Sequence, residues 1–354
     1  MRDGSVTVLG DTANEEHSLT DTGVSEVRPR KRIGRLRRAA MALGLSIALP
    51  LGLAVVAVGP TANAAFDPGA QDVWADSAMG PIKSRVWRAS DGNRNKVVYL
   101  LDGLRARTDL NGWEIETNVG PFLASQGINV VMPVGGQSSF YTDWYAPSNF
   151  NGQKTTYKWE TFLTQNLPDR LAAGDLGFSR SRVGVVGISM GGSAALTLAA
   201  YHPNQFSYAG SLSGYLNISA PGMREAIRVA MLDSGGYNVD SMWGPPWNPA
   251  WLRNDPFVFA PRLRDNGTRV WVSAASGLPG VYNTPQTPID YFNTATGMGL
   301  EALALANSRA FQVRMASIGA NNVTYNFPAQ GTHMWGYWQD QIYNMKNDLY
   351  ANIG

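Results

Sequence analysis

The chain contains no cysteine, and its 354 residues include only three histidines. Without a thiol, the protein can form no disulfide, no cysteine nucleophile and no sulfur-ligated zinc site. The histidines are His17, His202 and His333, and none belongs to the HExxH pattern of zinc-binding helices. The sequence therefore predicts neither a metal site nor any other cofactor.

The chain also lacks a large excess of charge of either sign. Residues 1–64 hold 8 of the 29 Lys and Arg residues and 6 of the 27 Asp and Glu residues, so residues 65–354 hold 21 of each class. Nucleic-acid binding depends on basic side chains that neutralise many phosphates, and this balance provides no such surface. The sequence therefore predicts no nucleic-acid partner.

The amino-terminal segment has the order of a secretory signal peptide. Residues 28–38 are strongly basic, residues 39–58 are apolar, and a run of small residues follows. The triplet Ala62-Asn63-Ala64 matches the small-x-small cleavage pattern, which predicts a mature chain that begins near residue 65. A permanent membrane anchor is the alternative, because about 20 apolar residues can span a bilayer. Pro50 and the cleavage motif favour the signal peptide.

The remaining residues, 65–354, are enough for a single large domain, and their pattern predicts an α/β fold. Short apolar runs alternate with segments of helical periodicity, as in a mostly parallel sheet flanked by helices. Six runs are predicted to be buried strands of one sheet: residues 96–101, 128–133, 182–187, 208–212, 269–274 and 322–327. Helices are predicted over residues 158–173, 191–201 and 338–353, and residues 217–261 are interpreted as an insertion over the sheet.

Residues 187–191 read Gly-Ile-Ser-Met-Gly between a predicted strand and a predicted helix. The bare GxSxG pattern is weak evidence in a glycine-rich chain, but the order strand, bend, helix is typical of the nucleophile elbow of α/β-hydrolases. The bend would present the Ser189 hydroxyl, and only small flanking residues permit its backbone geometry. The Met190 N–H, at the start of the helix, could stabilise an oxyanion. A tight turn with an incidental serine is the alternative.

A serine nucleophile needs an imidazole that accepts its proton and a carboxylate that holds this imidazole. His202 lies at the far end of the elbow helix, about 20 Å from Ser189, and so cannot be the base. His333 follows the last predicted strand, where the chain order Ser, acid, His of this fold places the base. We therefore predict His333 as the base, with a surface histidine as the alternative.

The acid is harder to choose from the residues alone, because several carboxylates lie between Ser189 and His333. The usual position is just after the strand at residues 269–274, and no carboxylate follows it directly. Most acidic side chains in such a stretch are solvated surface groups. Four candidates therefore stay open at this point: Asp255, Asp265, Asp290 and Glu301.

Long strings cover nearly all of residues 65–354 and carry a family resemblance. They are YLLDGLRA at residues 99–106, NGW at 111–113, MPVGGQSSFYTDWY at 132–145, YKWETFLT at 157–164, SLSGYLN at 211–217, DSGGYN at 233–238, SMWGP at 241–245, RNDP at 253–256 and NFPAQGTH at 326–333, together with the SMGG elbow and the Trp at 335. With them the chain resembles the mycolyltransferases of the antigen 85 type, which occur in bacteria with mycolic-acid envelopes. The resemblance implies an esterase-type α/β-hydrolase fold.

The resemblance also implies roles for individual residues. In the family the triad is Ser, Glu and His, and the Glu lies a fixed distance before the histidine of the GTH motif. That distance leads to Glu301, because it is 32 residues before His333. The backbone N–H of Leu104 would be the second oxyanion donor, opposite that of Met190. Segment 276–300 differs from the mycobacterial pattern, so the resemblance supports Glu301 less strongly than it supports Ser189 and His333.

The resemblance further implies a substrate. A mycolyl group would move from trehalose monomycolate, through a Ser189 acyl-enzyme, to a second trehalose monomycolate or to cell-wall arabinogalactan. Asp102 and Arg105 would hydrogen-bond trehalose hydroxyls, and Trp335 would line the sugar subsite; a structural ion pair is the alternative for Asp102 and Arg105. The implied partners are these glycolipids and arabinogalactan, with peripheral association with the outer envelope. The implied location is secreted or in the cell envelope.

Two other functions fit the same residues. A secreted carboxylesterase of the same fold would keep the triad and lack the sugar subsite. A non-catalytic protein that binds the envelope or host matrix would keep the scaffold, although it would need none of the triad. Residues 120–127 differ from the fibronectin-contacting helix of some relatives, so that contact is not expected. Ala274 replaces a cysteine of the mycobacterial members.

Overall fold

The computed structural model of the protein describes residues 66–354. The predicted polar extension and signal peptide, residues 1–64, lie outside this range. Within it, eight strands form one sheet in the order β1-β2-β4-β3-β5-β6-β7-β8. The strands are β1 Gln71–Ala75, β2 Ile82–Trp87, β3 Val97–Leu101, β4 Asn129–Pro133, β5 Val183–Ile188, β6 Phe206–Leu212, β7 Arg269–Ser273 and β8 Val323–Asn326.

The strands from β3 to β8 are all parallel, and only β1 and β2 are antiparallel to their neighbours. The predicted α/β fold with a mostly parallel sheet is therefore confirmed, and each of the six predicted strands is present. Because parallel strands end at the same edge, the segments that follow β3, β5, β6 and β7 lie side by side. This carboxyl edge is where an α/β sheet places its functional groups.

Strands β1 and β2 were not predicted, and the predicted burial of β8 was wrong. Side chains in β1 alternate between buried and exposed, so this edge strand lacks the continuous apolar run by which buried strands were sought. The four residues of β8 are all half-buried, because the strand lies at the other edge of the sheet. The sequence therefore predicted the position of β8 correctly, but the prediction that it is buried was wrong.

Helices cover both faces of the sheet and enclose two apolar cores. The helices are α1 Gly112–Glu116, α2 Val119–Ser125, α3 Trp159–Thr161, α4 Leu167–Ala172, α5 Met190–Tyr201, α6 Met223–Gly235, α7 Val239–Trp243, α8 Ala250–Arg253, α9 Pro256–Asp265, α10 Pro288–Ser317 and α11 Trp335–Asn352. One face is covered by α4, α5, α9 and the carboxyl half of α10, and the other by α1, α2 and α11. No helix in residues 66–354 combines the length and the apolar character that crossing a bilayer requires.

The predicted helix at residues 158–173 is interrupted by a π-helical turn at Phe162–Asn166. Pro168 lies just after this turn and has no N–H to continue the α-helical ladder, which accounts for the interruption. The other two predicted helices correspond to α5 and α11, and α11 begins three residues before the predicted start at residue 338.

Two helical regions were not predicted. The insertion at residues 217–261 contains α6, α7, α8 and the start of α9; α7 and α8 have only five and four residues, whereas α6 has 13 and was missed as well. The 30-residue α10 was not predicted, because its first turns contain Thr and Gly, which have low helix propensity. A signal for its start was nevertheless present, since Thr287 and Asp290 form a capping box.

Candidate active site

Ser189 lies at a sharp bend between β5 and α5. Its φ and ψ are +52° and −119°, a region that residues other than glycine rarely adopt. A Cβ on Gly187 would lie 2.2 Å from the Gly191 carbonyl oxygen, and a Cβ on Gly191 would lie 2.4 Å from the Asp102 carbonyl oxygen. The bend therefore requires glycine on both sides, as a nucleophile elbow does.

The segment after β3, Asp102-Gly103-Leu104-Arg105, forms a turn beside this bend, and we call it the DGLR turn. A Cβ on Gly103 would lie 3.8 Å from the Ser189 Cβ. Neither the Leu104 N–H nor the Met190 N–H donates a hydrogen bond to another residue within 66–354. Two free amide donors near the nucleophile are what an oxyanion hole requires, so both predicted donors are available.

Glu301, which is buried, and His333, which is half-buried, form a pair. Glu301 Oε2 lies 2.9 Å from His333 Nδ1, and the side chains are 2% and 10% exposed. The other oxygen, Oε1, accepts hydrogen bonds from Ser213 Oγ at 2.8 Å and from the Ala275 N–H at 2.7 Å. His333 Nε2 has no hydrogen-bond partner among the described side chains and backbone groups, so it is free to accept a proton.

The Ser189 bend and the Glu301–His333 pair both lie at the carboxyl edge of the sheet. Ser213 directly follows β6, and β6 pairs with β5 so that Leu212 is opposite Ile188, the residue before the nucleophile. The Ser189 N–H donates to the Leu212 carbonyl at 2.8 Å. The nucleophile therefore lies one strand away from the serine that binds Glu301, and the arrangement is suited to acyl transfer by a Ser, His and Glu triad.

The other three candidate acids have structural partners elsewhere. Asp255 is the N-cap of α9 and accepts a hydrogen bond from the Phe257 N–H. Asp265 pairs with Arg264 at the surface. Asp290 belongs to the capping box of α10 and lies at the exposed start of that helix. Within residues 66–354, only Glu301 among the four touches a histidine.

His202 is placed at the far end of α5, as the helix length predicts. Its Nε2 lies 2.8 Å from Glu160 Oε1, which also accepts a hydrogen bond from Arg253 at 2.6 Å. These three side chains line a cavity of about 330 Å³ that does not include Ser189. Within residues 66–354, no group of three or more His, Asp and Glu side chains is arranged to hold a metal ion.

Asp102 is 5% exposed and binds backbone rather than solvent. Its Oδ1 accepts from the Gly103 N–H at 2.8 Å, and its Oδ2 accepts from the Gly112 N–H at 2.7 Å. Burial raises the pKa of Asp102 to about 6, and the two hydrogen bonds offset only part of this rise. Asp102 and Arg105 do not pair with each other, so the ion pair considered between them is not formed.

Arg105 and Trp335, the other two predicted sugar contacts, lie in different surroundings. The Arg105 guanidinium pairs with Asp233 of α6, and 31% of the side chain is exposed. Trp335 is 8% exposed, because its ring packs edge-on against Trp113 and Trp338. Arg105 is therefore accessible to a ligand, whereas Trp335 offers only a small edge.

Comparison with known proteins identifies the family. The Esterase family model matches residues 80–349. The diacylglycerol acyltransferase/mycolyltransferase Ag85C of Mycobacterium avium is 45% identical over 314 residues, which cover 88% of this chain and 86% of that protein. The protein of the same name from Mycobacterium leprae (strain TN) is 49% identical over 258 residues, which cover 73% and 75%.

The chain belongs to the antigen 85 family of acyltransferases. The family resemblance in the sequence strings is thus confirmed. The structure of Mycobacterium tuberculosis MPT51 (FbpC1) superposes with a TM-score of 0.69 at 35% identity and covers 82% of this chain and all of MPT51. The Staphylococcus aureus serine hydrolase FphF superposes with a TM-score of 0.57 at 13% identity, covering 79% and 97%, and shares the fold alone.

Three groups in this antigen 85 family member were not predicted to belong to the site. Ser213 donates to Glu301, the Ala275 N–H does the same, and Trp338 Nε1 donates to Ser213 Oγ at 2.8 Å. The Trp338 ring also packs edge-on against His333, with centroids 4.8 Å apart. Ser213 lies in the SLSGYLN string but has no motif of its own; only its positive φ of +53° marks it, and that is visible in the structure alone.

Proposed function

We propose that the protein is a serine acyltransferase that moves a mycolyl group from trehalose monomycolate to a second trehalose monomycolate or to cell-wall arabinogalactan. The Glu301–His333 pair, at the sheet edge that also carries Ser189, is the observation that supports this most strongly. Identity of 41–49% to proteins named diacylglycerol acyltransferase/mycolyltransferase supports acyl transfer and the mycolyl group.

In the first step, His333 Nε2 takes the proton of the Ser189 hydroxyl while Ser189 Oγ attacks the ester carbonyl carbon of the donor. Negative charge develops on the carbonyl oxygen, where the Leu104 and Met190 N–H groups would stabilise it. The tetrahedral intermediate then collapses. The bond to the trehalose oxygen breaks, this oxygen takes the proton from His333, and an acyl-enzyme on Ser189 remains.

In the second step, a sugar hydroxyl of the acceptor gives its proton to His333 and attacks the acyl-enzyme carbonyl. The bond to Ser189 Oγ breaks, and the serine takes back the proton. Glu301 holds the imidazole through Nδ1 and stabilises the imidazolium that forms in both steps. Water can attack in place of the sugar, so the secreted carboxylesterase is the alternative outcome of the same chemistry.

Sugar binding is proposed at the mouth of this site. The Arg105 guanidinium has five N–H donors and only Asp233 as a side-chain partner in the described chain, which leaves donors for trehalose hydroxyls. Trp335 would present its edge to the sugar. Asp102 was predicted as a further contact, but both of its oxygens already accept backbone hydrogen bonds.

Export is proposed as well. Residues 1–64 would be removed as the signal peptide, and residues 65–354 would act as one domain, secreted or attached peripherally to the outer envelope. Amino-terminal sequencing of the protein from the culture medium tests this. A start near residue 65 is expected, whereas a chain that still carries residues 39–58 would contradict cleavage.

Mass spectrometry of the intact protein after incubation with native glycolipid tests the transfer. The wild type should gain the mass of one mycolyl group on Ser189, and added trehalose should discharge it as glycolipid. Ser189→Ala should gain nothing. Release of free acid at every trehalose concentration would favour the carboxylesterase, and glycolipid binding without any acyl-enzyme would favour the non-catalytic protein.

A further inference from the structure

The Asp102 carboxylate joins two backbone segments at the active site. Its two oxygens accept from the Gly103 N–H, inside the DGLR turn, and from the Gly112 N–H, at the first residue of α1. Leu104 is the next residue of that turn. The position of a candidate oxyanion donor thus depends on a segment that a single side chain ties to a neighbouring helix.

The helix end to which Asp102 binds is itself held firmly. The Gly112 Cα faces the Trp335 ring so closely that a Cβ there would lie 2.5 Å from a ring carbon. The Asn111 side-chain amide donates to the Pro133 carbonyl at 2.7 Å, and the Trp113 indole donates to the Leu101 carbonyl at 3.0 Å. The start of α1 is therefore a fixed point for the turn.

The opposite side of the turn is tied by the backbone. The Ser138 N–H donates to the Leu104 carbonyl at 2.9 Å, and the Asp102 N–H donates to Tyr141 Oη at 3.0 Å. The Leu104 N–H lies in the preceding peptide unit, whose carbonyl, on Gly103, accepts a hydrogen bond from the Ala106 N–H at 3.2 Å. The Asp102 side chain binds the N–H of Gly103 and so holds the residue that carries this carbonyl.

A carboxyl group satisfies both amides, because each of its two oxygens can accept a hydrogen bond. An asparagine has one acceptor oxygen and one NH₂ donor, so one of the two N–H groups would face another donor. The site is 5% exposed, so water is poorly placed to replace the lost acceptor, and an unsatisfied buried N–H is unfavourable.

We propose that Asp102 is a positioning residue that holds the DGLR turn, and with it the Leu104 N–H, in the geometry needed to stabilise the oxyanion. This role rests on the proposed acyl transfer at Ser189. It differs from a trehalose contact, because it acts on every ester that the enzyme cleaves, with or without a sugar.

The test is hydrolysis of p-nitrophenyl butyrate, an ester without sugar. Asp102→Asn should lower kcat about 10- to 100-fold with little change in KM. The reason is that an oxyanion donor out of position stabilises the transition state less, but hardly changes the binding of the substrate. A boronic acid that forms a tetrahedral adduct on Ser189 should bind more weakly by a similar factor. Asp109→Asn removes the same charge from an exposed position nearby, where Asp109 pairs with Arg107, and should leave kcat unchanged.

An unchanged kcat for Asp102→Asn on this ester, together with a loss of transfer to trehalose, would overturn the positioning role in favour of a sugar contact. If thermal unfolding shows that the Asp102→Asn variant is not folded, Asp102→Glu is used instead. It keeps the charge but displaces the oxygens, so its kcat should also fall, and an unchanged value would again overturn the role. Wild-type-like hydrolysis by Ser189→Ala would instead contradict the proposed function, so the two failures are distinct.

Discussion

Glu301 holds His333 with one carboxylate oxygen and uses the other to bind the segments that follow β6 and β7. The 2.9 Å contact to Nδ1 fixes the tautomer of the ring, because Nδ1 must donate to the carboxylate and Nε2 must then be the basic nitrogen. The contacts of Oε1 with Ser213 and Ala275 fix the carboxylate itself. The orientation of the base is thus determined by three segments that are far apart in the sequence.

The first prediction concerns this carboxylate. Glu301→Gln should lower kcat for p-nitrophenyl butyrate by about 10³- to 10⁴-fold, because a neutral amide neither stabilises the imidazolium nor selects the right tautomer. Steady-state kinetics measure the loss. Asp290→Asn is the control, since Asp290 caps α10 and should affect only stability. Equal losses in the two variants would mean that the acid has been assigned wrongly.

The second prediction concerns Ser213. Ser213→Ala removes the donor to Glu301 and the acceptor for Trp338 Nε1, so kcat should fall about 10-fold and the free energy of unfolding by about 1–3 kcal/mol. Ser211→Ala is a matched control, because Ser211 is a buried serine of β6 whose hydroxyl has no hydrogen-bond partner among residues 66–354. That change should be neutral or slightly stabilising. A larger effect at Ser211 than at Ser213 would argue against the network.

The third prediction concerns the pH dependence of protein stability that the buried Asp102 causes. Its pKa is raised from 3.8 to about 6 in the folded protein, so the protonated form is favoured by folding. Its contribution to stability is fully present below pH 3.8 and is lost as pH rises through about 6. The free energy of unfolding of the wild type, relative to Asp102→Asn, should therefore decrease by up to about 3 kcal/mol between about pH 4 and pH 7.

Urea unfolding of both proteins at several pH values measures this change, and the comparison cancels the titration of groups that the two proteins share. The charged and phenolic groups that face Asp102 are Arg107, Glu116 and Tyr141, and all are retained in the variant. A difference that stays constant with pH would show that the folded-state pKa of Asp102 is close to its ordinary value.

The fourth prediction concerns a buried ion pair near α1. Arg85 and Glu114 are each 1% exposed at the side chain and lie 2.7 Å apart. Glu114→Gln leaves a buried guanidinium with less compensation, so the free energy of unfolding should fall by about 3–5 kcal/mol. Thermal or urea unfolding measures it. Asp175→Asn, which breaks an exposed pair with Arg88, should have no measurable effect; a comparable loss there would contradict the importance of burial.

The sequence by itself determined the features that depend on local chemistry. A bend with glycine on both sides of Ser189 needs only the GxSxG residues and the strand and helix that flank them, so it can be read along the chain. The same holds for the six apolar runs of the sheet, and for His333 as the only histidine that follows the last strand. His202 could be set aside because the length of a helix is a local quantity.

Only the tertiary structure decided which side chains meet. Glu301 was one of four acids until folding placed it against His333, and without the family resemblance no local signal distinguished it from Asp290. Arg105 is paired with Asp233, 128 residues away, and Ser213 reaches Glu301 across 88 residues. Such contacts depend on how strands and helices pack, because the chain brings their residues together in space without any pattern along its length.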